Sequence, residues 1–333
     1  MHVLLTGLTG FIARRIAHDL LARGDKVRGT LRDPSRFPEI AALMPEGSAG
    51  RLSAVQTSLD ADDGWDQAAQ GVDALVHTAS PFPMNQIVAD PETLMRPAVA
   101  GTMRAMRAAR DAGVSRVILT SSAVAIANSP DPGNRPRDES DWSDPDHPAS
   151  NAYACSKIAA ERAAWDFADE NGMELTVLNP GLVLGPPLGP VDNTSLRFMA
   201  RILSGRDPAQ PPLNFEVVDV RDVATAHLRA LDLSRTAGER FALTAGPMWM
   251  TDLARLALAE APDRRIATRE APRLLLRGMA LLDPSVRGIL PLLDRRAPIS
   301  SDKARRVFGI DFIPAPAAAR AAIRGILAAE GAG

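Results

Sequence analysis

The sequence predicts an α/β chain, in which a doubly wound parallel sheet is joined to a smaller, mostly helical C-terminal lobe. Over the first 180 residues, short β-branched apolar runs alternate with longer segments of helical period, the signature of βαβ units. Runs such as Val3-Leu4-Leu5 and Val117-Ile118-Leu119 are apolar without interruption, as strands buried on both faces must be. Beyond residue 180 the texture changes. Pro180, Pro186, Pro187, Pro190, Pro208, Pro211 and Pro212 punctuate a segment that can hold only short elements.

Strands are expected at 2–6, 26–31, 51–56, 74–77, 114–120 and 174–178, with helices near 11–23, 64–70, 92–112 and 151–171. In the first helix Ile16, Leu20 and Leu21 form one stripe, while Arg14, Arg15 and Asp19 are expected to face water. A strand–helix pair returns at 215–219 and 221–233, a strand follows at 240–243, and an Ala-rich helix closes the chain at 315–332. The expected units are a core of 1–180 plus 214–245 and a lobe of 181–213 plus 246–333. The apolar stretch 274–293 is expected to pack on the lobe rather than form a lid.

Composition excludes several classes of function. A chain of 333 residues suggests two folding units. Its 38 basic and 40 acidic residues leave a net charge of −2, with none of the basic excess that a nucleic-acid partner demands. One cysteine cannot form an internal disulfide, and with five scattered histidines it offers no metal-site spacing. The opening MHVLLTGLTGF lacks a basic leader, and the densest apolar stretch is broken by Arg277, Asp283 and Arg287. The expectation is a soluble cytoplasmic protein with no membrane partner.

Four motifs carry chemistry. Thr6-Gly7-Leu8-Thr9-Gly10-Phe11-Ile12-Ala13 follows a strand and opens a helix, the Rossmann-type place for a pyrophosphate. Its Gly-x-x-Gly spacing departs from the G-x-G-x-x-G fingerprint, and out of context it is only a glycine turn. Arg32 ends the second strand, where an arginine faces the 2′-phosphate of NADP(H); adjacent Asp33 is the competing NAD(H)-type acceptor. Tyr153 and Lys157 stand four apart on one helix face. Tyr153 is the chain's single tyrosine, and Lys157 is one of three lysines beside 35 arginines. A phenol of pKa about 10 needs about 4 kcal/mol of differential stabilisation to work near pH 7, which a lysine cation can help supply. Ser121-Ser122 ends a strand, where a hydroxyl can polarise a carbonyl oxygen.

Taken together, the chain resembles the extended short-chain dehydrogenases/reductases. It is similar to the branch that holds dihydroflavonol 4-reductase, cinnamoyl-CoA reductase and bacterial or fungal ketone and aldehyde reductases. The resemblance runs through TGLTGFIA, VRGTLRDP, HTASP (77–81), Gly101-Thr102, TSSA, YACSK, NPGLV (179–183), VRDVATAH (220–227) and SSDKARRVFG (300–309). It implies that Gly7, Thr9, Gly10, Phe11 and Ile12 cradle the pyrophosphate and Arg32 the 2′-phosphate. Ser58 and Leu59 would border the adenine, and Ala79 and Ser80 would lie along the cofactor. Pro180, Leu182, Val183 and Ser195 would hold the nicotinamide end, which Tyr153 and Lys157 also border. Ser122 would polarise the carbonyl, Tyr153 donate the proton, and Lys157 lower the tyrosine pKa.

The chain departs from that branch at Ser58, where Asp is usual, and at Glu39, where a second cation is expected. It also departs at Ala98 and Ala100, where an asparagine orders a water, and at Ala127, which disfavours a flavonoid. Pro81, Phe82, Met84, Val124, Leu196, Phe198 and Met199 would line a mostly apolar substrate pocket. The resulting expectation is NADPH-dependent reduction of a small hydrophobic aldehyde or ketone, reversible on the alcohol, by a monomer or homodimer. The alternatives are an NAD-retaining nucleotide-sugar epimerase or dehydratase, a 3β-hydroxysteroid-type dehydrogenase, and a non-catalytic NADP-binding sensor. Cys155 is expected to be a buried small residue, His227 structural, and Asp138, Glu139 and Asp141 a solvated loop.

Overall fold

The computed structural model describes residues 1–80, 91–190 and 194–331. Its main sheet holds β1 (His2–Thr6), β2 (Lys26–Leu31), β3 (Leu52–Gln56), β4 (Ala74–His77), β5 (Arg116–Thr120), β6 (Glu174–Pro180) and β9 (Glu239–Leu243). A smaller sheet holds β7 (Leu182–Leu184), β8 (Asn214–Asp219) and β10 (Gly246–Trp249). All main-sheet strands are parallel, in the order β3-β2-β1-β4-β5-β6-β9. The chain winds outward from β1 to β3, then returns to β4 beside β1 and winds the other way. That reversal opens a crevice beyond the carboxyl ends of β1 and β4, where doubly wound sheets bind ligands.

The period-2 alternation of each strand assigns its two faces. Val3, Leu5, Val76, Ile118 and Leu178 pack under the helices Phe11–Arg23 and Val220–Asp232. Leu4, Leu75, Val117, Leu119 and Val177 face the helices Pro91–Asp111 and Ala152–Asn171. The small sheet carries the lobe core, in which Leu184 and Val217 meet Leu196, Met199, Leu253, Ala319 and Ile323.

Several expectations need correction. The predicted strand near 215–219 lies in the small sheet, parallel to β7 and antiparallel to β10, and so leaves the main sheet. The C-terminal half also holds longer helices than its prolines suggested, at Thr194–Leu203 and Met250–Glu260, beside the expected terminal helix at Ala315–Gly331. The prolines between 180 and 212 fall outside those helices. Arg14 is buried rather than solvated, because its guanidinium reaches back to carbonyls at Thr9, Leu188 and Pro190. Glu139 is not solvated either: its carboxylate accepts the N–H of Ala242 at 2.8 Å, and burial pushes its pKa up. Within 274–293, Ile289, Leu292 and Leu293 pack on the lobe core, but Leu274 and Leu282 are 81% and 91% exposed. Among the described residues, no helix is long and apolar enough to cross a membrane.

Gly181 joins the two sheets. Its N–H donates to Leu243 O at 3.0 Å, and an added Cβ would lie 2.2 Å from the backbone oxygen of Glu216. Gly181→Ala should therefore destabilise the fold by about 1–3 kcal/mol, read as a lowered midpoint of denaturant unfolding. An unchanged midpoint would show that the junction is slack.

Candidate active site

The glycine turn is shaped by close approach. Gly7 has φ of 70°, and a Cβ there would lie 3.1 Å from the Cα of Ala79. Its N–H donates to Thr30 Oγ1 at 3.2 Å, and Gly10 N–H closes the turn onto Gly7 O at 2.8 Å. No side chain caps the helix that begins at Phe11, so its first amides and the positive end of its dipole are available to an anion. Thr9, Phe11 and Ile12 are half-buried around this turn. Ala79 is tied in through its N–H to Thr6 Oγ1 at 3.0 Å, with half-buried Ser80 following it.

Arg32 is exposed at the carboxyl end of β2. Its neighbour Asp33 is engaged by its own turn: the carboxylate accepts from Ser35 N at 3.0 Å and Ser35 Oγ at 2.6 Å, which lowers its pKa. Ser58 O accepts the indole N–H of Trp65 at 3.0 Å, and Leu59 lies where a Cβ on Gly101 would collide with it.

The second half of the site sits at the ends of β5 and β6. Asn151 caps the Ala152–Asn171 helix by accepting from Ala154 N at 3.0 Å, which fixes where Tyr153 and Lys157 emerge. Burial pushes the Tyr153 phenol up, while a hydrogen bond with the Ser122 side chain pulls it down. Lys157 Nζ lies 6.0 Å from the centroid of the tyrosine ring and 3.5 Å from Thr120 O. Burial lowers its pKa to about 8, against the nearby charge of Glu161, which raises it. Ser122 is held by its surroundings, with Ser121 N–H on Leu178 O at 2.8 Å and Ala123 N–H on Pro180 O at 2.9 Å. The arrangement sets two hydrogen-bonded hydroxyls and one buried cation at the strand ends.

A model of the NAD dependent epimerase/dehydratase family matches residues 3–243. The chain belongs to that family. Cinnamoyl-CoA reductase 1 of Arabidopsis thaliana is 40% identical to it over 241 residues, which are 71% of this chain and 68% of the relative. Tetraketide alpha-pyrone reductase 2 of the same plant is 36% identical over 241 residues, 71% and 75% of the two chains. Among solved structures, yeast methylglyoxal/isovaleraldehyde reductase Gre2 complexed with NADPH matches with a TM-score of 0.81 and 27% identity, covering 99% of each chain.

On this epimerase/dehydratase scaffold the other expected residues separate. Pro180 and Val183 are buried, while Leu182 and Ser195 are half-buried. Val124 and Phe198 are half-buried, and Phe198 meets Phe215 edge-on at 5.2 Å. Leu196 and Met199, expected on the pocket wall, have no exposed surface and pack in the lobe core instead. Pro81, Phe82 and Met84 lie outside the described residues. Cys155 is buried, and His227 is locked between Thr120 Oγ1 and Val223 O, each at 2.7 Å. Among the described residues, no group of three His, Cys, Asp or Glu side chains could hold a metal ion.

Two features had been given no role. Thr6 Oγ1 accepts N–H bonds from Thr78 and Ala79, so its proton goes to His77 Nδ1 at 2.9 Å. This leaves His77 neutral with its own proton on Nε2; burial, helped by the Lys157 charge, lowers its pKa to about 3. Glu161, Asn179 and Arg240 form a buried polar cluster beneath Ser122. The available signal was the spacing of Glu161, one helical turn beyond Lys157.

The state of Lys157 links stability to pH. The unfolded lysine holds its proton up to 10.5, whereas the folded one releases it near 8. Between those values the unfolded state binds more protons, so stability rises with pH. Lys157→Met should lack this rise and be more stable at pH 7 by about 1–3 kcal/mol in denaturant unfolding. Equal stability of the two proteins at pH 7 would contradict a desolvated ammonium.

Proposed function

We propose that this enzyme is an NADPH-dependent reductase of small hydrophobic aldehydes and ketones, reversible as an alcohol dehydrogenase. One observation carries the reading: Tyr153 and Ser122 share a hydrogen bond beside the Lys157 ammonium, at the strand ends that also present an uncapped glycine turn. The reductase names of the relatives support it.

Gly7, Thr9, Gly10, Phe11 and Ile12 would hold the pyrophosphate of NADPH, in a cradle that a Cβ at Gly7 would fill. Arg32 would take the 2′-phosphate, since Asp33 is engaged by Ser35 and does not compete for a ribose hydroxyl. Ser58 and Leu59 would border the adenine, Ala79 and Ser80 the bridge, and Pro180, Leu182, Val183 and Ser195 the nicotinamide. NADPH bound there supplies the hydride.

Ser122 and Tyr153 orient the substrate oxygen by hydrogen bonding, which fixes the carbonyl carbon for attack. As negative charge develops on that oxygen, Tyr153 Oη gives up its proton and Lys157 stabilises the resulting phenolate. Burial keeps the phenol protonated at neutral pH, the form that reduction requires. Val124, Leu182 and Phe198 offer an apolar wall, which favours a hydrophobic carbonyl compound over a charged sugar nucleotide.

Tyr153→Phe should lose about 10²–10⁴-fold in kcat on any aldehyde or ketone that the wild type reduces, with NADPH affinity by fluorescence titration nearly unchanged. Near-full turnover would refute the mechanism. Arg32→Ala should raise the KM for NADPH about tenfold and leave that for NADH alone, the value of about one charge-assisted hydrogen bond. Reduction should also decline as pH rises through about 8, where Lys157 loses its charge.

A further inference from the structure

The helix that carries Tyr153 and Lys157 carries Glu161 one turn further on, with only 1% of its surface exposed. Each of its carboxylate oxygens is engaged. Oε1 accepts from Arg240 Nε on β9 at 2.6 Å. Oε2 accepts from Asn179 Nδ2 on β6 at 2.8 Å and from the Ser121 hydroxyl. The same Asn179 Nδ2 also donates to the backbone oxygen of Ser122 at 3.2 Å. Arg240, 7% exposed, is held from its far side by the carbonyls of Glu139 and Asp141 and lies 3.8 Å from the centroid of the Trp142 ring.

We propose that Glu161 is a positioning residue: its carboxylate, braced by Arg240, fixes the Ser121–Ser122 turn and supplies the counter-charge for the Lys157 ammonium. This rests on the roles given above to Ser122, Tyr153 and Lys157. A buried ion pair does little for stability, because the desolvation of both charges offsets their attraction. What this pair does is place a fixed negative charge beneath a cation that burial pushes toward its neutral form. Beside its own helix, Lys157 faces uncharged groups: Thr120 O from β5 and neutral His77 from β4. The buried residues of the Pro91–Asp111 helix are likewise all uncharged. Among the described residues, Glu161 is therefore the anion acting on Lys157, and Arg240 behind it is the cation that tempers that field.

The two ends of the pair must then act on Lys157 with opposite sign. The chain holds only Lys26, Lys157 and Lys303, so lysine-selective isotope labelling gives three side-chain NMR signals, with Lys157 assigned through its loss in Lys157→Met. In the wild type Lys157 should titrate near 8. Glu161→Gln should move that titration down by about one pH unit, and Arg240→Met should move it up by about one. The alkaline limb of kcat/KM for carbonyl reduction should shift in the same direction in each variant. Lys157 titrating as in the wild type in both variants, or moving in the same direction in both, would overturn the proposal. Should Glu161→Gln fail to fold, an unshifted or lowered titration in Arg240→Met overturns it alone. The NMR readout needs no turnover, so a Tyr153→Phe enzyme that keeps near-full turnover would refute the proton-donor role of Tyr153 and leave this test intact.

Discussion

An ammonium group taken out of water has to find oxygen or negative charge within a few ångströms, and it alters every ionisable neighbour that it does find. Lys157 imposes this requirement on the carboxyl end of the main sheet. Thr120 O approaches it from β5, and Glu161 answers its charge from the same helix. His77 on β4 is kept neutral by burial, with the lysine charge acting in the same direction. The strand end at Thr120 and the helical turn that carries Glu161 together set oxygen and negative charge around that one cation. The protein accepts a destabilising charge at the point where a reaction can use it.

The parallel sheet and its first helix were legible because they rest on local periodicity. β1, β2, β4 and the Phe11–Arg23 helix have the expected bounds: Gly7, Arg32 and Gly24 close β1, β2 and the helix, and Asp73 precedes β4. The small sheet was not legible. β7 has only three residues, β10 reads Gly-Pro-Met-Trp with no apolar strand pattern, and β8 takes its partners from segments distant in the chain. Arg14 misled for a related reason: its helical phase points toward water, but a long side chain can reach around its own helix to carbonyls that only the folded chain brings near.

The site divides along the same line. Gly7, Gly10, Tyr153 and Lys157 could be read from spacing because strand–turn–helix and i, i+4 geometry are local rules. The support of Ser122 could not, since Asn179 and Arg240 come from β6 and β9, far along the sequence from residue 122. Leu196 and Met199 show the converse limit. A helix period says which residues share a stripe but not whether that stripe faces a cavity or a packed core, and here it faces the core.

The guanidinium of Arg14 has a consequence for how the glycine turn is held. It is bonded at once to Thr9 O in the glycine turn and to Leu188 O and Pro190 O in the segment that leads into the lobe. One rigid planar group is thus shared by both. Displacing either segment would break hydrogen bonds that hold the other, so the turn and that segment are tethered through a single side chain.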